Sequence, residues 1–223
     1  MRIILHRYVA DLFSAICRII DEDQRTRSRE FYLLLVSKSS KPDEVYDVRI
    51  PEQEIYGSLV RAKGRSISTL ASELGEDEVF CGSLHRHPFA TSAFLSATDE
   101  ELLETMAQEM SPRMIRWSST SETLPTLRCH LPQDGHLIVD GREIQADQIE
   151  LRGTTLTIKP SSTVFALVNA DRKGKKFYGK ALHFSFCPLC RKPERRTEEL
   201  QIEIKEAEDG RSIDEKKLRE LIK

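Results

Sequence analysis

The apolar run Phe31–Val36, with the sequence FYLLLV, restricts the fold more than any other segment. A strand with one solvated face alternates apolar and polar residues, and this run does not alternate. It therefore predicts a strand that is buried on both faces. Both faces of its sheet must be covered by other elements, which favours helices packed on a central sheet.

Other patterns supply the covering elements. Apolar residues recur at helical spacing along 7–22, which predicts an amphipathic helix. Val79–Leu84 predicts a second buried strand, and residues 96–110 predict a helix that begins with Ser96 and Asp99 as a capping box. We therefore expect one α/β domain with a mixed central sheet flanked by helices.

The second half of the sequence is less regular. Residues 118–162 contain short strand patterns separated by Asp-Gly and Arg-Gly turns, which predicts a strand-rich insertion, and 164–169 with 177–186 favours a hairpin. Segment 191–223 carries 10 basic and 10 acidic residues and no aromatic residue. We expect this segment to be a charged C-terminal appendage to a main domain that spans 1–190.

Composition restricts the functional class. Hydrophobic residues make up 39% of the chain and charged residues 31%, and the formal net charge is -2. A net charge so close to zero gives no argument for nucleic acid or an anionic membrane as a partner, and we expect neither. No apolar run reaches the roughly 20 residues that span a bilayer, and residues 1–5 do not form a signal peptide. The five cysteines, an odd number, favour a reducing compartment, so we expect a cytoplasmic protein.

The candidate chemistry lies in the segment from His85 to Asp99. Side chains at i and i+2 of a strand point to the same face, so His85 and His87 can present two imidazoles to one side. Pro88 ends the strand pairing. Asp99 lies in the first turn of the predicted helix, where the helix dipole favours a carboxylate. If this helix packs on the strand, two nitrogens and one oxygen converge.

Two imidazoles and a carboxylate suit Zn²⁺ with a fourth position left open. Zinc at such a site polarises a carbonyl group and lowers the pKa of water to about 7. Hydrolysis also needs a nearby carboxylate that takes the proton of the water and passes it to the leaving amine. Ser96, three residues before Asp99, can donate a hydrogen bond to the oxyanion.

These residues together resemble the signature of the JAMM metalloproteases, also called MPN+ or Mov34/JAB proteins. This family includes the zinc deubiquitinases of proteasome lids. The matching positions are His85-Arg86-His87-Pro88, Ser96-Ala97-Thr98-Asp99 and Glu30 at the head of the apolar run. The resemblance covers residue 1 to about residue 186 and implies the α/β fold of the family.

The resemblance implies a role for each matching polar residue. His85, His87 and Asp99 are implied as zinc ligands. Glu30 is implied as the general acid and base, and Ser96 as the residue that stabilises the oxyanion. Three other glutamates are alternatives for the acid and base: Glu52, Glu54 and Glu78.

The implied activity is hydrolysis of a peptide or isopeptide bond, with removal of ubiquitin or a ubiquitin-like protein from its conjugates. Two other functions remain open. The chain can be a catalytically inactive MPN-type module that binds a modifier or a complex partner. It can also be a zinc peptidase that acts on a small peptide or on an adduct of a carrier protein.

The pair Cys187 and Cys190 is half of a four-ligand zinc site, which predicts a possible second, structural zinc ion. The missing ligands can come from His183, from Cys129 and His130, or from a second chain. The alternatives are two ordinary thiols or a redox pair.

Overall fold

The structure is a computed structural model. It describes the chain except for residues 25, 28, 57–58, 63, 89–93, 110–116, 131–136, 140–141, 145–147, 187–192, 207–209 and 223. For residues 54–56, 59–62, 64–65, 107–109, 117–130, 137–139, 142–144, 148–161, 185–186 and 193–194 it describes the backbone alone.

The chain divides into two compact units. The first unit comprises Met1–Trp117, Ser162–Phe184 and Glu194–Lys223, and the second comprises Ser118–Ser161 and Ser185–Pro193. The elements in chain order are β1 (Arg2–His6), α1 (Arg7–Glu22), β2 (Phe31–Lys38), β3 (Lys41–Arg49), β4 (Gln53–Tyr56), β5 (Leu59–Ala62), α2 (Gly64–Ser72), β6 (Glu78–Arg86), α3 (Ala97–Glu109), β7 (Trp117–His130), β8 (Leu137–Val139), β9 (Arg142–Ile144), β10 (Gln148–Asn169), β11 (Phe177–Phe186), β12 (Pro193–Glu199), β13 (Gln201–Lys205) and α4 (Glu215–Leu221).

The main sheet is mixed, with the strand order β12-β11-β10-β6-β2-β3-β1-β13. At its centre, β6 pairs antiparallel with β2 and parallel with β10. At one end, β1 pairs parallel with both β3 and β13. The prediction of an α/β fold with a mixed central sheet is therefore confirmed.

Strand β2 is buried on both faces, as the run Phe31–Val36 predicts. Phe31, Leu33 and Leu35 belong to the main hydrophobic cluster, to which α1 contributes most of its apolar stripe. Tyr32 points the other way, and its hydroxyl contacts the Met106 sulfur of α3 at 3.6 Å. Helices thus cover both faces of the central strands, which removes the apolar side chains from water.

The segment predicted as a C-terminal appendage over 191–223 lies within the first unit from Glu194 onward. Residues 194–223 belong to the first unit, where β12 and β13 extend the main sheet and α4 buries Leu218 in the hydrophobic cluster. The segment is charged because its two strands lie at the ends of the strand order, where many side chains face solvent. A charged edge strand discourages unwanted pairing and has the same composition as a solvated tail.

Charged residues of this segment form specific contacts in the first unit. The Lys205 ammonium donates to the Glu44 carboxylate at 2.5 Å, and His6 lies 2.8 Å from the same oxygen. Hydrogen bonds from Lys205 and then His6 lower the pKa of Glu44 to about 2. Asp214 caps the helix α4, since its side chain accepts from the amide of Lys217, whereas the spacing of Ser212 to Glu215 suggests a cap at Ser212.

The second unit contains β7, β8, β9 and the first part of β10, with β7 paired to β10 and β8 paired to β9. Its longer segment, Ser118–Ser161, covers nearly the same residues as the strand-rich insertion predicted over 118–162. Among the helices that the structure describes, none has the length and apolar content required to cross a membrane.

The close approach of β6 to β10 requires glycine at position 82. Gly82 pairs with Phe165, and a Cβ at Gly82 would lie 2.0 Å from the Phe165 carbonyl oxygen. The two strands would have to separate to admit a methyl group. We expect Gly82→Ala to lower the free energy of unfolding by about 3 kcal/mol or more, measured by chemical denaturation.

Gly75→Ala is the matched control, because a Cβ there would meet only the flexible Glu78 side chain at 3.4 Å. We expect its free energy of unfolding to lie within about 0.5 kcal/mol of the wild type. Equal stability of the two variants would contradict this account of the β6 and β10 pairing.

Candidate metal centre

The two predicted histidine ligands lie at the end of the central strand β6. His85 is opposite Tyr32 in β2 on one side and opposite Val168 in β10 on the other, and only 3% of its surface is exposed. His87 follows the last residue of the strand. Because β6 is held between two neighbours as far as His85, the backbone that carries this imidazole is fixed.

The third predicted ligand, Asp99, lies in the first turn of α3. Its backbone amide donates to the Ser96 hydroxyl at 3.3 Å. In return, the Ser96 hydroxyl and the Ser96 amide both donate to one carboxylate oxygen of Asp99, at 2.7 Å and 2.6 Å. This reciprocal arrangement is the predicted capping box, and it orients the carboxylate.

Ligand atoms of His85, His87 and Asp99 converge, as the sequence predicts. The two Nε2 atoms of the histidines are 2.8 Å apart. The Asp99 carboxylate lies 3.1 Å from His85 Nε2 and 3.5 Å from His87 Nε2, each distance taken to a different oxygen. The ligand atoms all lie within 4.8 Å of one another, so these residues form a group that can hold a metal ion.

The protonation states of His85 and Asp99 suit metal binding. Burial lowers the pKa of His85, which favours the neutral imidazole that a metal requires. Burial raises the pKa of Asp99, but hydrogen bonds from His85 and His87 outweigh this effect and hold the pKa well below its usual range. Asp99 is therefore a carboxylate, and the centre offers two imidazoles and one negative charge.

Asn169, which the sequence analysis missed, fixes the backbone of His87. Its side-chain oxygen accepts from the His87 amide at 2.6 Å, and its side-chain nitrogen donates to the His87 carbonyl at 3.0 Å. The same nitrogen donates to the Asp171 carbonyl at 2.8 Å, and Asn169 is fully buried. It is also the only asparagine in the sequence, at the end of an apolar strand, which is the signal that could have indicated it.

Two aromatic residues border the centre. Tyr32 lies beneath it in β2, where burial raises the pKa of its hydroxyl, which is hydrogen-bonded to Ser83. Phe94 lies at its rim, with its ring centre 5.9 Å from that of His87, and 53% of its surface is exposed. The centre therefore has a buried floor and an apolar, accessible rim.

The structure places Glu30 immediately before β2 as a half-buried residue. Phe31 is opposite Arg86, so the antiparallel register, continued by one residue, sets Glu30 opposite His87. Side chains of opposite residues lie on the same face, about 5 Å apart at Cβ. A register continued in this way puts Glu30 on the face of the sheet that carries His85 and His87.

The three other glutamates are less suited than Glu30 to act as the general acid and base. Glu78 begins β6, seven residues before His85, which corresponds to about 23 Å along an extended strand. Its carboxylate also binds Tyr46 and the amide of Gly75. Glu52 is exposed, and the side chain of Glu54 lies outside the described residues.

The predicted second site falls outside the described residues, because these do not include Cys187 and Cys190. Of the residues named as partners, the side chains of Cys129 and His130 are also outside them. His183 already uses both ring nitrogens, at 3.0 Å from the Thr163 hydroxyl and 3.1 Å from the Glu198 carboxylate. Its present contacts disfavour His183 as a ligand of that site.

No protein-family model matches this chain, and no curated protein matches it. Functional inference therefore depends on the residues and geometry of the centre.

We expect Asn169→Ala to weaken metal binding. The substitution leaves the amide and carbonyl of His87 without their buried partner, so the ligand is held less firmly. Groups that orient a ligand typically contribute about 10- to 100-fold in affinity. Calorimetric titration of the metal-free protein with Zn²⁺ should show a loss in this range.

Ser162→Ala is the matched control, because Ser162 is a buried polar residue of the same strand whose hydroxyl has no partner among the described residues. Its affinity for Zn²⁺ should equal that of the wild type. An Asn169→Ala protein that binds Zn²⁺ as tightly as the control would show that Asn169 has no such role.

Proposed function

We propose that this chain is a zinc-dependent hydrolase of peptide or isopeptide bonds, of the JAMM type that its motif resembles. The observation that carries the proposal is the convergence of His85 Nε2, His87 Nε2 and the Asp99 carboxylate at the end of the central strand. The mixed sheet, with the histidines at the end of its central strand β6 and the helix α3 as the next element, supports the proposal.

The donor set favours zinc among the divalent ions. Calcium and magnesium prefer oxygen ligands, whereas two imidazoles with one carboxylate are typical of catalytic zinc. Bonds of about 2.0–2.1 Å in a tetrahedral site place the ligand atoms about 3.3 Å apart. The observed separations of 2.8 Å, 3.1 Å and 3.5 Å lie around this value.

A bound zinc ion supplies a Lewis acid that polarises the substrate carbonyl and lowers the pKa of water. Glu30, on the same face as the histidines, accepts the proton of the attacking water and returns it to the leaving amine. This transfer uses one carboxylate for both steps, so no second acid is required.

Ser96 is suited to stabilise the oxyanion. Its hydroxyl donates to Asp99 in the present structure, but its backbone amide donates to the same carboxylate oxygen. The hydroxyl can therefore turn toward a substrate oxygen while Asp99 stays held. A neutral donor that is placed in advance costs little reorganisation during the reaction.

The resemblance supplies the substrate class, which is ubiquitin or a ubiquitin-like protein joined to another protein. The exposed ring of Phe94 at the rim supports a substrate with an apolar contact near the cleaved bond. The strand-rich segment Ser118–Ser161 is the candidate for contacts with the modifier. An inactive binding module and a peptidase of small adducts are the functions that the experiments below must separate from this one.

Metal analysis is the first test. We expect one zinc per chain in the wild type and none in His87→Ala, or two and one if Cys187 and Cys190 hold a second ion. His183→Ala is the control, because its ring is bonded to Thr163 and Glu198, and it should retain the zinc of the wild type. Removal of zinc by a chelator should abolish hydrolysis, and added zinc should restore it. Zinc that is unaffected by His87→Ala would exclude this centre.

Glu30→Gln tests catalysis. Glutamine keeps the size of the side chain but cannot accept a proton, so we expect kcat to fall about 100-fold or more with zinc content unchanged. The substrates are a ubiquitin fusion and a short fluorogenic peptide. Glu52→Gln, at the exposed alternative glutamate, should keep the kcat of the wild type. Full activity of Glu30→Gln would refute its role, and a wild type that binds the modifier without cleaving any substrate would favour the inactive module.

A further inference from the structure

Arg86 lies between the two histidines in sequence but on the opposite face of the sheet. Side chains alternate along β6, so His85 faces α3 and Arg86 faces the side of α1. Arg86 is opposite Phe31 in β2, and Phe31 belongs to the hydrophobic cluster on that side. Only 1% of its surface is exposed.

The guanidinium of Arg86 binds the segment that leads from α1 into β2. One terminal nitrogen donates to the Arg29 carbonyl at 2.6 Å and to the Arg27 carbonyl at 3.2 Å. The other donates to Arg27 at 3.2 Å and to the Asp21 carboxylate, in the last turn of α1, at 2.5 Å. A single side chain thus joins β6, the end of α1 and the residue before Glu30.

Burial of an arginine side chain is energetically unfavourable. Removal of its charge from water is only partly offset by one carboxylate, and that carboxylate, on Asp21, is one-third exposed. Among the described residues, the remaining guanidinium nitrogen, Nε, has no hydrogen-bond partner. An apolar side chain would pack among its neighbours at lower cost, so the contribution of Arg86 is the geometry it imposes.

The segment that Arg86 holds has some internal hydrogen bonds of its own. The amides of Thr26 and Arg27 donate to the Asp23 carbonyl, and the amide of Arg29 donates to the Thr26 carbonyl. These bonds form turns, but they do not connect the segment to the sheet. The Arg86 side chain connects it to β6, at a carbonyl one residue before Glu30.

We propose that Arg86 is a positioning residue that acts through the Arg29 carbonyl to hold Glu30 opposite His87. This inference rests on the proposed function of Glu30 as acid and base. The same strand then carries the ligands on one face and, on the other, the side chain that places the carboxylate. A displacement of about 1 Å in a reacting group can cost about 100-fold in rate, so such a clamp has a large effect on kcat.

The test compares Arg86→Met and Arg86→Lys with the wild type, each alone and combined with Glu30→Gln. In Arg86→Met we expect faster amide hydrogen exchange over 23–31, measured by mass spectrometry on the zinc-loaded and zinc-free protein. Zinc affinity should fall far less than the roughly 10- to 100-fold typical of groups that support a ligand, because the clamp lies on the other face.

We expect kcat to fall at least about 10-fold in Arg86→Met with KM unchanged. In the Glu30→Gln background the same substitution should lower kcat no further, because the residue through which Arg86 acts is absent. Arg86→Lys keeps the charge with fewer donors, so its effects on hydrogen exchange and on kcat should be intermediate. If Arg86→Met does not fold, Arg86→Lys is compared with the wild type in its place. Arg49→Met removes a half-buried arginine of β3 and should change stability alone.

Unchanged exchange over 23–31 would overturn the proposal, as would an equal fall in kcat in the presence and absence of the Glu30 carboxylate. A loss of zinc that accompanies the loss of activity would also overturn it, because Arg86 would then support the metal centre. If the wild type hydrolyses no substrate, the proposed function fails, and the exchange measurement alone decides whether Arg86 holds the segment.

Discussion

The position of β6 between an antiparallel and a parallel neighbour is the constraint on which the rest of the site depends. Pairing with β2 and β10 fixes its pleat, and the pleat sends His85 to one face and Arg86 to the other. Gly82 allows β10 to approach closely, and β10 in turn delivers Asn169 to the backbone of His87. The placement of the two histidines is therefore a consequence of strand pairing.

Much of this arrangement could be predicted from the sequence, because it depends on local patterns. The apolar stripe predicted α1 over the residues it occupies, and the uninterrupted run at Phe31 predicted a strand buried on both faces. The i and i+2 spacing of the histidines and the capping box at Ser96 are also local features. Each requires only that the chain bury its apolar residues and satisfy a helix end.

The remaining features depend on contacts between distant residues. Asn169 is 82 residues from His87 in sequence, and no periodicity indicates that they meet. From the sequence alone, Arg86 is expected to face solvent, because only the structure shows that its strand is central and buried. The charged composition of 194–205 suggests a tail, because edge strands and tails both expose charge to solvent. The position of Glu30 follows only from the register of β2 against β6.

The parallel pairing of β1 with β13 has a consequence for biosynthesis. The two strands are separated by about 200 residues, from Arg2 to Gln201, so the contact order of this pair is high. A nascent chain can form α1 and pair β1 with β3 early, but the other edge of β1 stays unpaired until residue 205 has been made. The hydrophobic cluster around α1 is also incomplete until Leu218 has been made. Until then the growing chain exposes apolar surface. The charged C-terminal segment, 194–223, covers part of this surface once it has been made.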